Sequence, residues 1–242
     1  MGRSGTKFLA SVLSRSSQAS VFHEEIGDRE FWLLSWYLDK ENYSKPFLLN
    51  QKMILEKRSD SRILIDVNSG LQNSADVLKE VFPGARIFHL VRDPRKVIPS
   101  IYNRRSDKRI HLVPKTRNEF EKWLNYTKLE QVCWNWNDTT TRLLKSDLEL
   151  IQFEKLISDY QYFKNSLTDK IGISDINEHT WDMIRNSKVN STKPKWYRYL
   201  YSHLKRKDFV SEHLPRFEEW QTFQQKVLFD ICGETMEKLG YE

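Results

Sequence analysis

The sequence has only two cysteines, Cys133 and Cys232, among its 242 residues. Two cysteines in a chain of this length do not make the disulfide framework of a small secreted domain. Neither lies near another cysteine or a histidine at the spacing of metal ligands, so no metal site is predicted. These features favour a reducing compartment, the cytoplasm.

Long apolar runs, internal repeats and low-complexity tracts are also lacking. No stretch has the length and apolarity of a bilayer span, and the first residues do not resemble a secretory signal. A chain of 242 residues is long enough to bury one sizeable core. We therefore expect a single domain over residues 1–242, without a membrane span.

The charge balance is basic, with a formal net charge of +6. An excess of positive charge favours an anionic partner such as a nucleotide, a sulfated or phosphorylated ligand, nucleic acid or a membrane surface. The same excess also serves solubility, and charge alone does not separate the two interpretations.

Four short apolar runs predict β-strands, at residues 21–22, 62–67, 86–91 and 148–153. Amphipathic segments between them predict helices, among them one long helix over residues 119–145. The run at 86–91 is almost continuously apolar, as is typical of a parallel strand buried on both faces. The alternation of strands and helices predicts an α/β fold with a central, mainly parallel sheet flanked by helices.

The chain begins with a run of small and basic residues, Gly2-Arg3-Ser4-Gly5-Thr6-Lys7-Phe8. Its glycines allow backbone N–H groups to turn toward an anion, and a helix predicted from Thr6 adds its positive end. The run is not a Walker A loop, which ends in Gly-Lys-Ser/Thr. A phosphate loop normally follows a strand, so we expect the first strand to be missing before Gly2. The alternative is a frayed terminus with a capped helix.

A second candidate anion site follows the predicted strand at 86–91. Arg92 stands at its carboxyl end, where ligands bind in open parallel sheets, and Ser100 lies about two turns into the next helix. An arginine fork suits a phosphate monoester. The alternative is an ordinary surface pair of Arg92 with Asp93 or Glu80. Together the two sites suggest a ligand with two phosphate-like groups.

In order and spacing these motifs resemble the sulfotransferase family, whose donor is 3′-phosphoadenosine-5′-phosphosulfate (PAPS). The likeness extends over nearly the whole chain through three further segments, Phe82-Pro83-Gly84-Ala85-Arg86, Gln152-Phe153-Glu154-Lys155-Leu156, and Trp220 through Tyr241. It implies a single P-loop-like α/β domain and a PAPS-dependent sulfotransferase that needs no metal.

The resemblance also implies roles for single residues. The 5′-phosphosulfate would be cradled by the opening loop, that is, by Arg3, Ser4, Gly5, Thr6, Lys7 and Phe8. The 3′-phosphate would be bound by Arg92 and Ser100. Arg3 and Lys7 would stabilise the charge that develops on the leaving phosphate oxygen. An arginine at position 3 is similar to the protein-tyrosine branch of the family, because the cytosolic branch has lysine there.

A general base is expected in His23-Glu24-Glu25, which follows the strand predicted at 21–22. In the arginine-containing branch a glutamate falls near this point, so the resemblance implies Glu24 first, then Glu25, then His23. The alternative is a solvated acidic turn that caps the next helix. Asn68 and Ser69 end the strand at 62–67 and would line the acceptor site, bind the cofactor or form a turn.

The segment 185–207 contains eight lysines and arginines, interleaved aromatic residues and no acidic residue. In the family a basic loop in this region closes over the cofactor, so Lys193, with Lys188 or Asn190, is a candidate contact. The rival interpretations are a nucleic-acid or membrane-surface patch, or a solvated helix face with core aromatics.

The predicted reaction is transfer of a sulfuryl group from PAPS to a hydroxyl or amine of a small-molecule, carbohydrate or peptide acceptor, with no nucleic-acid partner. Two alternatives stay open at this point. One is a non-catalytic module of the same fold that binds anions, nucleic acid or glycan, and the other is a nucleotide-kinase-like P-loop enzyme. The sequence leaves the acceptor and the oligomeric state open.

Overall fold

The computed structural model describes residues 4–58, 63–104, 112–187 and 213–241. Its strands are β1 (Ala19–His23), β2 (Ile63–Val67), β3 (Phe88–Val91) and β4 (Glu149–Gln152). Its helices are α1 (Thr6–Leu13), α2 (Arg29–Tyr37), α3 (Lys45–Arg58), α4 (Ala75–Val81), α5 (Pro94–Tyr102), α6 (Arg117–Leu124), α7 (Lys128–Leu144), α8 (Phe153–Ser158), α9 (Tyr160–Phe163), α10 (Asp169–Ile171), α11 (Glu178–Asn186) and α12 (Thr222–Lys238). None of these described helices is long and apolar enough to cross a membrane.

The described strands form two parallel pairs. β1 pairs with β2 in a register that runs from Ala19 opposite Ile63 to His23 opposite Val67. β3 pairs with β4, with Val91 opposite Gln152. Parallel neighbours need a crossover connection, and helices supply it in both pairs. The α/β class with parallel strands flanked by helices is confirmed, and the strands lie in two pairs where one continuous sheet was expected.

Helix α1 packs against both strand pairs. Its apolar residues Phe8, Leu9, Val12 and Leu13 recur at helical spacing and are buried. They belong to one apolar cluster that also contains Val67 of β2, Ile151 of β4 and Phe153 of α8. Ser4 and Gly5, which precede α1, therefore lie close to the carboxyl ends of the strands.

A second apolar cluster joins α7 to α12 and contains both cysteines. Cys133 and Cys232 are free and fully buried, and the Cys232 thiol donates a 3.5 Å hydrogen bond to the Cys133 carbonyl. Burial raises the pKa of the Cys232 thiol well above its usual value. These thiols are therefore packing groups in the reduced protein.

The prediction of one helix over residues 119–145 is wrong, because two helices, α6 and α7, occupy this region. Thr127 starts α7 with a capping box. The Thr127 backbone N–H donates to Glu130 Oε2 at 2.6 Å, and the Glu130 N–H donates to Thr127 Oγ1 at 3.3 Å. These reciprocal hydrogen bonds pair backbone N–H groups at the start of α7 with side-chain oxygens. They therefore favour a separate helix that begins at this point.

Candidate functional site

The glycine loop lies on the aromatic ring of Phe153. Gly5 is the N-cap of α1 and has φ +96°, a conformation that L-residues rarely adopt. A Cβ at Gly5 would lie 2.0 Å from a ring atom of Phe153, so only glycine fits here. Phe8 packs edge-on against the same ring, with centroids 6.1 Å apart. Phe153, the first residue of α8, therefore restricts which residue can stand at position 5 of the predicted loop.

The start of α1 has the features of an anion site. Because the N-cap residue is Gly5, no side-chain hydrogen bond caps α1 among the described residues. The first turn also contains no acidic residue. The first N–H groups of a helix have no partner within it, and they carry its positive end. Lys7 is exposed beside them, and Ser4 is buried. This arrangement suits a phosphate or sulfate group.

Arg92 reaches the same ring from another direction. It follows β3, and its guanidinium carbon lies 4.7 Å from the centroid of Phe153. Its Nε is 3.9 Å from Glu154 Oε1. Burial lowers the pKa of Arg92 from its usual value, and nearby Glu154 and Asp93 oppose that effect. The two predicted anion sites thus meet at Phe153, which the sequence prediction had left without a role.

Ser100 lies on α5, as the sequence predicts, and is half-buried. The helix begins two residues after Arg92, and the Asp93 side chain caps it by accepting the Arg95 N–H at 2.8 Å. Asp93 and Glu80, the alternative partners of Arg92 in the sequence analysis, each form an ion pair with another cation. Asp93 Oδ2 lies 2.9 Å from Arg95 Nη2, and Glu80 Oε2 lies 2.9 Å from Lys45 Nζ.

The predicted base turn follows β1 and lies near the glycine loop. His23 Nε2 is 3.4 Å from Thr6 Oγ1. The next residue, Glu24, is exposed and has φ +58°, an uncommon conformation for a residue other than glycine. The Asp66 carboxylate holds the turn by accepting the N–H groups of Glu25 at 3.2 Å and Ile26 at 3.0 Å.

Residues that follow β2 fix the Glu24 carboxylate. Ser69 Oγ donates to Glu24 Oε1 at 2.6 Å. Asn68 Nδ2 donates to Asp66 Oδ2 at 2.9 Å and to the Ile26 carbonyl at 2.8 Å, which ties the two turns together. The sequence analysis named Asn68 and Ser69 as site residues but did not name Asp66. The only sign of its role in the sequence was that it is an acidic residue within an apolar strand.

The capping role proposed for the acidic turn belongs to a later residue. Asp28 caps α2 by accepting the Phe31 N–H at 2.9 Å. Glu24 takes no part in this cap, since its carboxylate accepts from Ser69. The turn therefore leaves Glu24 at the surface, one residue after His23, whose ring lies 3.4 Å from Thr6.

An open groove of about 450 Å³ begins at the base turn. It is lined by acidic and aromatic side chains, among them Glu24, Glu25, Asp28, Glu30, Phe31, Tyr43 and Phe47. The rings of Phe31 and Phe47 stack with centroids 4.2 Å apart. Burial, with the nearby Glu30 and Asp28, raises the pKa of Tyr43. The groove is thus a place where an acceptor could lie next to Glu24.

Two predicted contacts, Arg3 and Lys193, lie outside the described residues, as do Lys188 and Asn190. Their roles stay predictions. Within the described ranges, no group of three or more histidine, cysteine, aspartate or glutamate residues could hold a metal ion.

A family profile described as "Sulfotransferase family" matches residues 1–178 of the chain. The matched region includes the glycine loop, the base turn, Arg92, Ser100 and the start of α8. A comparison with curated proteins gives no significant match.

Proposed function

Because the chain belongs to the sulfotransferase family, we propose that it transfers a sulfuryl group from PAPS to a hydroxyl or amine of a small-molecule, carbohydrate or peptide acceptor. One observation carries the choice of donor. Gly5 and Arg92, from two separate anion sites, both contact the ring of Phe153. A ligand with two anionic groups can bridge sites placed in this way.

The residues present fit such a ligand. Residues 4–8 offer the N–H groups at the start of α1, a glycine backbone and the exposed Lys7 for the 5′ end. Arg92 and Ser100 would hold the 3′-phosphate. PAPS, when bound, supplies the sulfuryl group and a phosphate leaving group. Arg3 and Lys193 are further proposed contacts.

Glu24 is the proposed general base. Its carboxylate would take the proton from the acceptor hydroxyl as that oxygen bonds to sulfur. Arg3, Lys7 and the positive end of α1 would stabilise the electron pair left on the phosphate oxygen. Little covalent chemistry falls to the protein in this reaction, so positioning and charge stabilisation carry the catalysis.

The groove beside Glu24 is the proposed acceptor site. Its stacked rings offer a flat apolar wall, and its carboxylates offer acceptors for hydroxyl or amine hydrogens. We also place the reaction in the cytoplasm as part of this proposal, because two cysteines in a chain of 242 residues do not make the disulfide framework of a small secreted domain.

The proposal is tested by calorimetric titration with 3′-phosphoadenosine-5′-phosphate (PAP), beside AMP and ATP. Of the three nucleotides, we expect PAP to bind most tightly. We expect Arg92→Ala to weaken the affinity for PAP by roughly ten- to a hundredfold, because a charge-assisted contact is lost. Arg117→Ala is the matched control, since Arg117 is highly exposed and pairs only with Glu121 in the described structure.

Other outcomes would contradict the proposal. Equal or tighter binding of ATP would favour the kinase-like alternative. Binding without preference for the 3′-phosphate, or equal losses in the two arginine variants, would favour a non-catalytic anion-binding module.

A further inference from the structure

Four carboxylates line the groove at the base turn, and they belong to Glu24, Glu25, Asp28 and Glu30. The other residues that line it are aromatic, glycine or glutamine, so no lysine or arginine of the described part of the chain does so. The whole chain has a formal net charge of +6, and the groove is therefore opposite in sign to the protein around it. Such a lining favours a ligand that carries positive charge.

Two lysines of helix α3, which forms one wall of the groove, have their partners outside it. Lys45 Nζ lies 2.9 Å from Glu80 Oε2 and 3.0 Å from Glu41 Oε2. Lys52 Nζ donates to the Val81 carbonyl at 3.2 Å. These lysines therefore do not neutralise the carboxylates of the groove.

The carboxylates act on the aromatic side of the groove. Burial raises the pKa of Tyr43, and the nearby Glu30 and Asp28 raise it further. The ring of Tyr43 stacks on Phe31 with centroids 5.9 Å apart, and Phe31 stacks in turn on Phe47. Aromatic rings beside carboxylates suit an ammonium or guanidinium group, because charge attraction and cation–π contact then act together.

Glu30 is the carboxylate best placed to read the charge of an acceptor. Glu24 accepts from Ser69 and is the proposed base, while Asp28 caps α2 by accepting the Phe31 N–H. Glu30 lies in the first turn of α2 and is exposed. Among the described residues its carboxylate has neither an ion pair nor a hydrogen bond, so it can pair with a ligand.

We propose that Glu30 determines the specificity of the acceptor site, and that the acceptor is a hydroxyl compound with a separate cationic group. The hydroxyl lies at Glu24, and the cationic group lies between Glu30 and the ring of Tyr43. This inference rests on the proposed function, in which the groove holds the acceptor. It narrows the acceptor to compounds that are positively charged at neutral pH.

Opposite charges on the two sites would also keep donor and acceptor apart. The proposed donor site contains Lys7, Arg92 and the positive end of α1. The groove contains carboxylates. An anionic nucleotide is therefore repelled from the groove, and a cationic acceptor is repelled from the donor site.

The test uses phenols of similar size that differ in charge. Tyramine is cationic, para-propylphenol is neutral and para-hydroxyphenylpropionate is anionic. Each is titrated calorimetrically into the whole chain saturated with PAP. At low ionic strength we expect tyramine to bind roughly tenfold more tightly than para-propylphenol, and the anionic phenol to bind most weakly. Added salt should reduce the difference, because it screens charges at the surface.

Two substitutions of Glu30 separate its charge from general effects on the fold. Glu30→Gln should weaken tyramine binding by roughly two- to fivefold and leave para-propylphenol unchanged. Glu30→Lys should weaken tyramine and tighten para-hydroxyphenylpropionate, and misfolding would not produce opposite changes. Glu56→Gln is the matched control, since Glu56 is an exposed carboxylate of α3 that does not line the groove.

Three results would overturn the inference. They are no binding of tyramine, equal affinities for tyramine and para-propylphenol, and equal losses in Glu30→Gln and Glu56→Gln. PAP binding is measured before any phenol is added, and its failure would count against the proposed donor. In that case the same titrations are made on the chain alone and judged by the same criteria, so the two proposals fail separately.

Discussion

Ser69 Oγ donates a 2.6 Å hydrogen bond to Oε1 of Glu24, although the two residues lie 45 positions apart in the chain. The register of β1 and β2 explains the contact, because His23 stands opposite Val67 and the turn after each strand meets the other. The hydrogen bond gives the proposed base one defined orientation toward the groove.

Replacing Glu24 by glutamine tests the base directly. Glutamine keeps the size and can still accept from Ser69, but it cannot take a proton at neutral pH. We expect kcat to fall by roughly 10²- to 10⁴-fold while PAP affinity stays unchanged. The measurement is turnover of radiolabelled PAPS with an acceptor found by screening phenols, sugars and amines. Glu25→Gln is the matched control, and a larger loss there would transfer the role to Glu25.

Ser69→Ala should act through Glu24. Loss of a hydrogen bond to a charged group frees the carboxylate to rotate, so we expect kcat to fall by about tenfold without a change in PAP affinity. Ser69→Thr keeps a hydroxyl and should restore most of the rate. Comparison of kcat with KM for both variants checks this. An equal loss in the alanine and threonine variants would show that packing, and not the hydroxyl, matters.

Gly5→Ala should destabilise the fold more than another glycine substitution with the same backbone requirement. The left-handed conformation alone costs about 1–2 kcal/mol for an L-residue, and overpacking against Phe153 adds about 1–3 kcal/mol. Gly84→Ala is the control, since Gly84 has φ +85° and no atom would lie within 4 Å of an added Cβ. Urea unfolding of both variants measures the difference, and equal losses would contradict the contact with Phe153.

Stability should depend on the protonation of His89. Its side chain is buried, and burial lowers its pKa from 6.5 to about 4. The unfolded chain binds a proton near pH 6.5 and the folded chain does not. The contribution to the free energy of unfolding is therefore fully present above about pH 6.5, and it is lost as the pH falls toward about 4.

Urea unfolding across this pH range provides the measurement. His89→Gln, which cannot ionise, should show a smaller loss of stability between about pH 6.5 and 4 than the parent chain. Because the comparison uses the change with pH within each protein, a general loss of stability in the variant does not affect it. Parallel pH profiles would mean that His89 is not the group responsible.

Much of the fold could be predicted because its signals are local. The apolar spacing in Phe8, Leu9, Val12 and Leu13 correctly predicted α1. The break between α6 and α7 was also local, since Thr127 and Glu130 form a readable capping signal. It was missed because apolar periodicity continues on both sides of the break.

The contacts within the site could not be predicted in the same way. Ser69 meets Glu24 only because β1 and β2 are neighbours, and Phe153 meets Gly5 and Arg92 only because the start of α8 reaches under the loop. Strand order and register are set by packing over the whole domain, so they could not be predicted from any single segment. Residue types therefore indicated which groups matter, while tertiary structure determined their partners.

The carboxylate of Glu154 affects how the 3′-phosphate would bind at Arg92 in the proposed site. It lies 3.9 Å from the Arg92 guanidinium, and it also accepts the Asp93 N–H at 3.1 Å and the Tyr241 hydroxyl at 2.9 Å. If the 3′-phosphate binds Arg92 as proposed, it replaces an internal counter-ion and does not meet a bare cation. The two other donors would keep Glu154 satisfied during this exchange, so the measured affinity would reflect a substitution of one anion for another.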